Sequence, residues 1–259
     1  MLTDEQLERY ARQVILPAFG EENQLQLSQR HVAIIGAGGL GAPVIAYLAA
    51  AGVGRLSIID DDDVELSNLN RQVIHNTAAI GTPKAEHAAQ MARGINDDIT
   101  VTAHVSRFTA ATAEQLIGDA DIIADCSDTG QTRHEANAAA HRLGRVLVFG
   151  GAVRQEGQIS SFASGRDPDS PCFACIFPET AGHDLAPRCS EAGILGPVTG
   201  VIGTLMAHEI LRQCLLPEQP IGETLTGRLL LYDAVATSLT TIRTGKRDGC
   251  PVCGPVRAD

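Results

Sequence analysis

The 259-residue chain has no tryptophan, 3% aromatic residues, and fewer basic than acidic side chains, 20 Lys and Arg against 31 Asp and Glu, for a net charge of −11. Those shortages exclude a general nucleic-acid binder, which needs a basic surface for phosphates and rings for stacked bases. Membrane-spanning runs are missing too. The apolar stretches Gly39 to Gly54 and Ala192 to Ala207 lack charges but hold 16 residues each, short of the ~20 that a spanning helix requires. Both contain glycines and a proline and read as buried helices, so neither nucleic acid nor membrane is an expected partner. Met1-Leu2-Thr3-Asp4-Glu5 carries no secretory signal, and the seven cysteines are an odd number. Together these features point to a reducing cytoplasm, with thiols used for metal or catalysis. There is no internal repeat and no low-complexity linker. A chain of this length buries roughly 70–75% of its unfolded surface, and one domain over 1–259 is expected. Its parts are an N-terminal helical arm (1–30), a nucleotide-binding core (31–165), and a region of clustered cysteines, a crossover loop and C-terminal strands (166–259).

What is present is concentrated between His31 and Lys84. The β-type run His31-Val32-Ala33-Ile34-Ile35 opens onto Gly36-Ala37-Gly38-Gly39-Leu40-Gly41, an apolar helix follows, and Arg55-Leu56-Ser57-Ile58-Ile59 delivers Asp60 at its end. This is the start of a nucleotide-binding βαβ unit: glycines let the backbone turn tightly and approach a phosphate, whose charge sits at the helix N-terminus. Asp60 suits a ribose hydroxyl. The sequel, Asp60-Asp61-Asp62-Asp63 through Asn68, Arg71 and Gln72 to Pro83-Lys84, places anion-binding side chains where a dehydrogenase would need an open nicotinamide site. Strand alternation puts Asp60 and Asp62 on one side, with the remaining aspartates as a solvated turn. Two cations and an amide close after a phosphate loop suit a triphosphate, and Asp128, just past the strand Ala120 to Cys126, is placed to hold Mg²⁺ against it.

Thr3 and Gln6 form a capping-box pattern before a helix in which Leu7, Tyr10, Ala11, Val14 and Ile15 repeat at helical spacing, ended by Pro17. Arg12 lies off that stripe, free to reach a neighbouring subunit or simply to face solvent. Thr82 and Pro83 read as cap and first position of a helix running to about Asn96. A strand (99–105), a helix (110–117), the strand ending before Asp128, a helix (132–143) and strands over 145–149 and 157–163 continue the alternation. Residues 167–188 read as loop, 194–215 as a long helix, and 229–232 and 235–242 as late strands. The fold class is therefore α/β: a Rossmann-like doubly wound sheet, mostly parallel, with late antiparallel strands.

Cys172-Phe173-Ala174-Cys175 and Cys250-Pro251-Val252-Cys253 are two CxxC pairs, four thiolates suited to a tetrahedral structural zinc that would tie the tail to the body. A redox pair is the rival reading, but neither pair opens a helix after a strand. Cys189 follows Pro187-Arg188 and precedes a helix, so it is either an activated thiolate or an incidental loop thiol. Cys126 and Cys214 sit in apolar segments as core residues. The eight histidines show no metal spacing and read as structural.

Arg9-Tyr10-Ala11-Arg12-Gln13, Gly36 to Gly41, Asp62 to Gln72, Pro83-Lys84, Asp125-Cys126-Ser127-Asp128, both CxxC pairs and Cys189 to Pro197, taken in this order over nearly the whole chain, resemble the ThiF/MoeB/HesA family. These are bacterial relatives of ubiquitin-activating enzymes. The resemblance implies an adenylyltransferase that uses Mg·ATP on the C-terminal glycine of a small ubiquitin-fold sulfur carrier of the thiazole or molybdopterin pathway. It implies that Gly36, Gly38, Gly39 and Gly41 form the phosphate loop, with Gly39 and Gly41 lining the phosphates. Asp60 would bind ribose with Asp62 nearby, and Asn68, Arg71 and Lys84 would grip phosphates. Asp128 would hold Mg²⁺, and Arg12 would reach in from the second subunit of a homodimer. Cys172, Cys175, Cys250 and Cys253 would bind zinc, and Cys189 matches a position that forms a thioester or persulfide-linked intermediate in some members. Thr129 stands where many relatives have Asn, so a local rearrangement of the adenine or magnesium contact is expected there. Cys172 to Glu179 and Gly249 to Gly254 read closer to the thiazole branch. With no rhodanese-like extension after Asp259, the sulfur donor is expected to be a separate protein. Two other classes remain as alternatives: an NAD(P)-dependent oxidoreductase using the same βαβ start, and a catalytically silent module that binds carriers.

Overall fold

The computed structural model describes residues 1–179, 192–215 and 221–254. One eight-stranded sheet runs through them in the order β3-β2-β1-β4-β5-β6-β7-β8. Its strands are β1 (His31–Ile35), β2 (Arg55–Ile59), β3 (Thr100–His104), β4 (Ile122–Asp125), β5 (Val146–Val153), β6 (Glu156–Phe162), β7 (Arg228–Asp233) and β8 (Ser238–Arg243). The first five pair in parallel and the last three antiparallel, as the fold class read from the sequence requires. The order reverses between β1 and β4, so both strands deliver their C-terminal ends, Ile35 and Asp125, to one crevice, the position where open α/β sheets bind ligands.

The parallel strands are apolar on both faces because helices cover both. Val32, Ile34, Leu56, Ile58, Ile122 and Val148 pack against α3 (Gly41–Ala51), α4 (Lys84–Ile95) and the helix Gly196–Cys214, here α8. The alternate residues Ala33, Ile35, Ile59, Ile123, Leu147 and Phe149 pack against α5 (Ala113–Ile117), α6 (Gly130–Arg142) and the short α7 (Phe173–Ile176). This period-two division puts the two helical layers on opposite sides.

The capping box of α1 (Asp4–Val14) forms as expected between Thr3 and Gln6, but of the anticipated stripe only Tyr10 is buried, its hydroxyl accepting from Asn96. Leu7 and Ile15 are exposed. A second helix, α2 (Gly20–Leu27), follows where no apolar period announced one. Its buried Asn23 and Gln24 are polar, and Gln24 donates to Ala51 O, so hydrogen bonds replace the usual apolar signal. Pro83 caps α4 from outside, in place of the first helical position, because Asp63 and Pro83 pair as an extended bridge and Val64 N–H donates to Thr82 O. Within the expected 167–188 loop, α7 forms around the first cysteine pair. No described helix is long and apolar enough to cross a membrane.

Helix α8 reaches α3 closely through Gly203, where an added Cβ would lie 2.3 Å from Pro43 Cγ and 2.6 Å from Leu40 O. Overpacking of this kind costs about 1–3 kcal/mol. Gly203→Ala is expected to lower the urea midpoint accordingly; an unchanged midpoint would refute the close approach.

Candidate active site

At the switch point lies a cleft of about 300 Å³ whose walls include Gly36, Gly38, Gly39, Asp60, Asp61, Asp62, Arg71, Lys84, Asp128 and Thr129, a size suited to a small-molecule ligand. Its floor is the glycine turn. Gly36 has φ +96, and a Cβ on Gly41 would lie 2.0 Å from Gly36 O, so the turn folds directly onto the start of α3. Gly41 therefore serves this backbone contact and stands outside the cleft wall, while Gly39 is held against Thr199 of α8. The N–H groups of Gly38, Gly39 and Leu40 find no acceptor among the described residues. Free N–H groups at a helix start, with the helix dipole behind them, form an anion site.

Asp60 is held by two backbone donors, Ala37 N–H at 2.7 Å and Asp62 N–H at 2.9 Å. Burial raises its pKa, opposed by those donors and by Lys84. Asp61 also lines the cleft; β2 ends at Ile59, so strand alternation no longer sorts these side chains. Lys84 is buried, and its Nζ donates to the exposed Asp62 at 2.7 Å. Arg71 bonds only Ser67 O and Asn70 Oδ1 and has no acidic partner among the described residues. Both cations line the cleft; Asn68 does not. Its amide caps the turn Leu66–Asn68 by accepting from Glu65 N–H. Arg12 is exposed on α1 and lies outside the cleft of its own chain.

On the opposite wall, Asp125 ends β4 fully buried and its Oδ1 accepts from Ser127 N–H and Oγ, fixing the loop that carries Asp128. Burial raises the Asp125 pKa, opposed by Arg133 and Ser127. Asp128 is exposed in the cleft wall, an oxygen donor that suits magnesium, which keeps several waters. Thr129 caps α6 by accepting from Thr132 N–H, so the side chain in the place of Asn is engaged locally. Gln72, part of the anion-binding run in the sequence, also lines the walls, as do Ser106, Arg107, Phe108, Arg133 and Thr199, which the sequence did not single out. Arg133 had a partial signal, a position one turn past Asp128. Cys189 lies outside the described residues.

The two CxxC pairs meet. Cys172 Sγ is 3.9 Å from Cys175 and 3.5 Å from Cys250, and Cys175 is 3.4 Å from Cys253. With Zn–S bonds of about 2.3 Å at tetrahedral angles, the sulfurs of a four-cysteine site sit about 3.8 Å apart, so the cluster fits zinc. Asn137 of α6 donates to Cys172 Sγ at 3.6 Å and accepts from Phe173 N–H, the outer-shell bonding that orients metal ligands. Cys126 and Cys214 are buried, and burial raises both thiol pKa values, that of Cys214 to about 12.

A glycine turn at a Rossmann switch point, walled by arginine, lysine and aspartate side chains, defines a nucleotide-binding protein of the doubly wound class. The ThiF family profile matches residues 10–252, and the chain belongs to the ThiF family. It is 41% identical over 254 residues to the sulfur carrier protein adenylyltransferase of Thermus thermophilus, covering 97% of this chain and 92% of that protein. It is 42% identical over 249 residues to the SAMP-activating enzyme E1 of Haloferax volcanii, covering 96% and 89%. The crystal structure of E. coli MccB with ATP shares the fold at a TM-score of 0.80 and 22% identity, covering 95% of this chain and 73% of that one.

The purified chain is expected to hold one zinc per molecule, and its removal by a chelator to lower the melting temperature by about 5–15 °C, on the order of 2–4 kcal/mol. A metal-free preparation with an unchanged melting temperature would remove the zinc assignment.

Proposed function

We propose that the chain adenylates the C-terminal glycine carboxylate of a small ubiquitin-fold sulfur-carrier protein, with ATP as donor and pyrophosphate as product. The observation that carries this reading is the shared cleft: free loop N–H groups and the cations Arg71 and Lys84 around one site, on a chain 41% identical to a sulfur carrier protein adenylyltransferase. A dehydrogenase would have no use for that cationic wall.

The nucleophile, an α-carboxylate of pKa about 3.5, is ionised at neutral pH, so no general base is required. The difficulty is electrostatic, because an anion must approach the α-phosphate while pyrophosphate departs. Positioning and charge neutralisation therefore supply the catalysis. Asp60 would bind the ribose, the Gly38 to Leu40 amides and Lys84 the phosphates, and Arg71 the charge that builds up during transfer. Mg²⁺ held by Asp128 would supply further neutralisation of the phosphate oxygens. Lys84 already has Asp62 as partner, so phosphates would compete with a carboxylate that is itself well solvated. Arg12, outside its own cleft, would act on the site of a partner subunit in a homodimer. Cys189 would act covalently in the later sulfur step, with sulfur from a separate donor protein, and the reaction belongs in the cytoplasm.

Carrier-dependent exchange of labelled pyrophosphate into ATP tests the reading. Arg71→Ala and Asp128→Ala are each expected to lower exchange by about 100-fold or more; full exchange in both would overturn the site, and carrier binding with no exchange in the parent chain would make it a silent module. Intact-mass reading of adenylate with thiazole-type and molybdopterin-type carriers assigns the pathway. Cys189→Ser is expected to leave adenylation intact and stop sulfur transfer, and undiminished transfer would exclude the covalent role.

A further inference from the structure

Two histidine rings behind the glycine turn, His75 buried and His87 half-buried, have no part in the chemistry above. His75 is 7% exposed. Its Nε2 lies 3.0 Å from Ala37 O, and its Nδ1 lies 3.0 Å from Nδ1 of His87 on α4. A carbonyl oxygen only accepts, so the Nε2 of His75 carries the proton and its Nδ1 is the acceptor; the Nδ1 of His87 must then donate. Burial lowers the pKa of both rings and favours their neutral forms, so Ala37 O fixes the tautomer of His75 and His75 fixes that of His87. Ala37 is thus clamped from both ends, its C=O by His75 and its N–H by Asp60.

The clamp has a geometric consequence. In a trans peptide the C=O and the following N–H point in opposite directions, so the bond from His75 to Ala37 O sets where the Gly38 N–H is aimed. Gly38 lines the cleft and its N–H has no acceptor among the described residues. A glycine-rich turn is otherwise free to rotate that peptide plane. We propose that His75, its ring braced by His87, is a positioning residue that orients the Gly38 amide toward the nucleotide phosphates. This rests on the ATP reading given above.

Ring volume and donor separate in two variants. His75→Phe keeps a ring and loses the N–H; His75→Gln places an amide N–H near the position of Nε2. Binding of ATP and of adenosine is measured for the parent and both variants, with thermal unfolding alongside. His75→Phe is expected to bind ATP about tenfold more weakly and adenosine as the parent does, because Asp60 keeps its ribose site. His75→Gln is expected to restore ATP binding to within about threefold of the parent. If the phenyl ring unfolds the chain, His75→Leu replaces it in the same comparison. ATP binding unchanged in the donor-less variant, or ATP and adenosine weakened alike, overturns the positioning role. A parent chain that binds no ATP instead overturns the adenylation reading.

Discussion

The contact between Gly36 O and the backbone of Gly41 governs the rest of the site. With only 2.0 Å between that oxygen and the place a Cβ would occupy, the chain turns from β1 into α3 through a tight five-residue loop, Gly36 to Leu40. The first amides of α3 are thereby carried to the sheet's C-terminal edge, beside the end of β4. Every other group at the cleft is placed relative to that turn. Asp60 reaches it from β2, Thr199 closes on Gly39 from α8, and the segment bearing Arg71, Gln72 and His75 covers it from outside. A wider turn would leave the free amides short of the switch point, where α/β sheets bind ligands.

The parts legible in the sequence were those whose physics is local. β1 and β2 fall at their expected bounds because five-residue apolar β-type runs, a glycine turn and an apolar helix constrain one another over a few residues. The cysteine pairs announced a four-thiol cluster by their spacing, and the four sulfurs do meet. Asp61 was misplaced because alternation applies only while a strand lasts, and β2 ends at Ile59. Asn68 sat in a suggestive run, yet its amide is engaged in a turn cap, a choice decided by a single local hydrogen bond. Arg107, Phe108 and Thr199 reach the cleft from β3's trailing loop and from α8, and no spacing along the chain encodes that convergence. Helix α2 escaped because its buried face is held by amides such as Gln24, which an apolar period cannot detect.

Helix α6 ties the cysteine cluster to the cleft. Thr129 caps it at the cleft wall, Arg133 on the next turn donates to Ser127 O and lies over Phe149 at 5.0 Å, and Asn137 one turn further bonds Cys172. Phe173, inside the first cysteine pair, packs edge-on against Phe149 and Phe162. The sulfur cluster therefore anchors an aromatic patch on the same face of the sheet that fixes the Asp128 loop. The tail cysteines close this arrangement from the far end of the chain, and they hold a helix that spans the distance from cluster to cleft.

The proposed anion site rests on polar contacts placed behind the loop. An amide aimed at a phosphate must be free in front, and a free amide on a flexible turn would relax toward water or toward its own backbone. Here the restraint falls on the neighbouring atoms. Asp60 takes the Ala37 N–H, His75 takes the Ala37 C=O, and Ile59 O takes the Gly36 N–H at 2.8 Å. Orientation is thus fixed through the neighbouring peptide atoms, and the Gly38 N–H is left free in front. Buried, prealigned dipoles of this kind need no rearrangement when charge arrives, which makes a fixed amide worth more to transfer than a mobile one of equal strength. The chain's net charge of −11 would then not conflict with binding a polyanion at the proposed site, because the attraction there would be short-ranged and set by a few oriented bonds near Gly38.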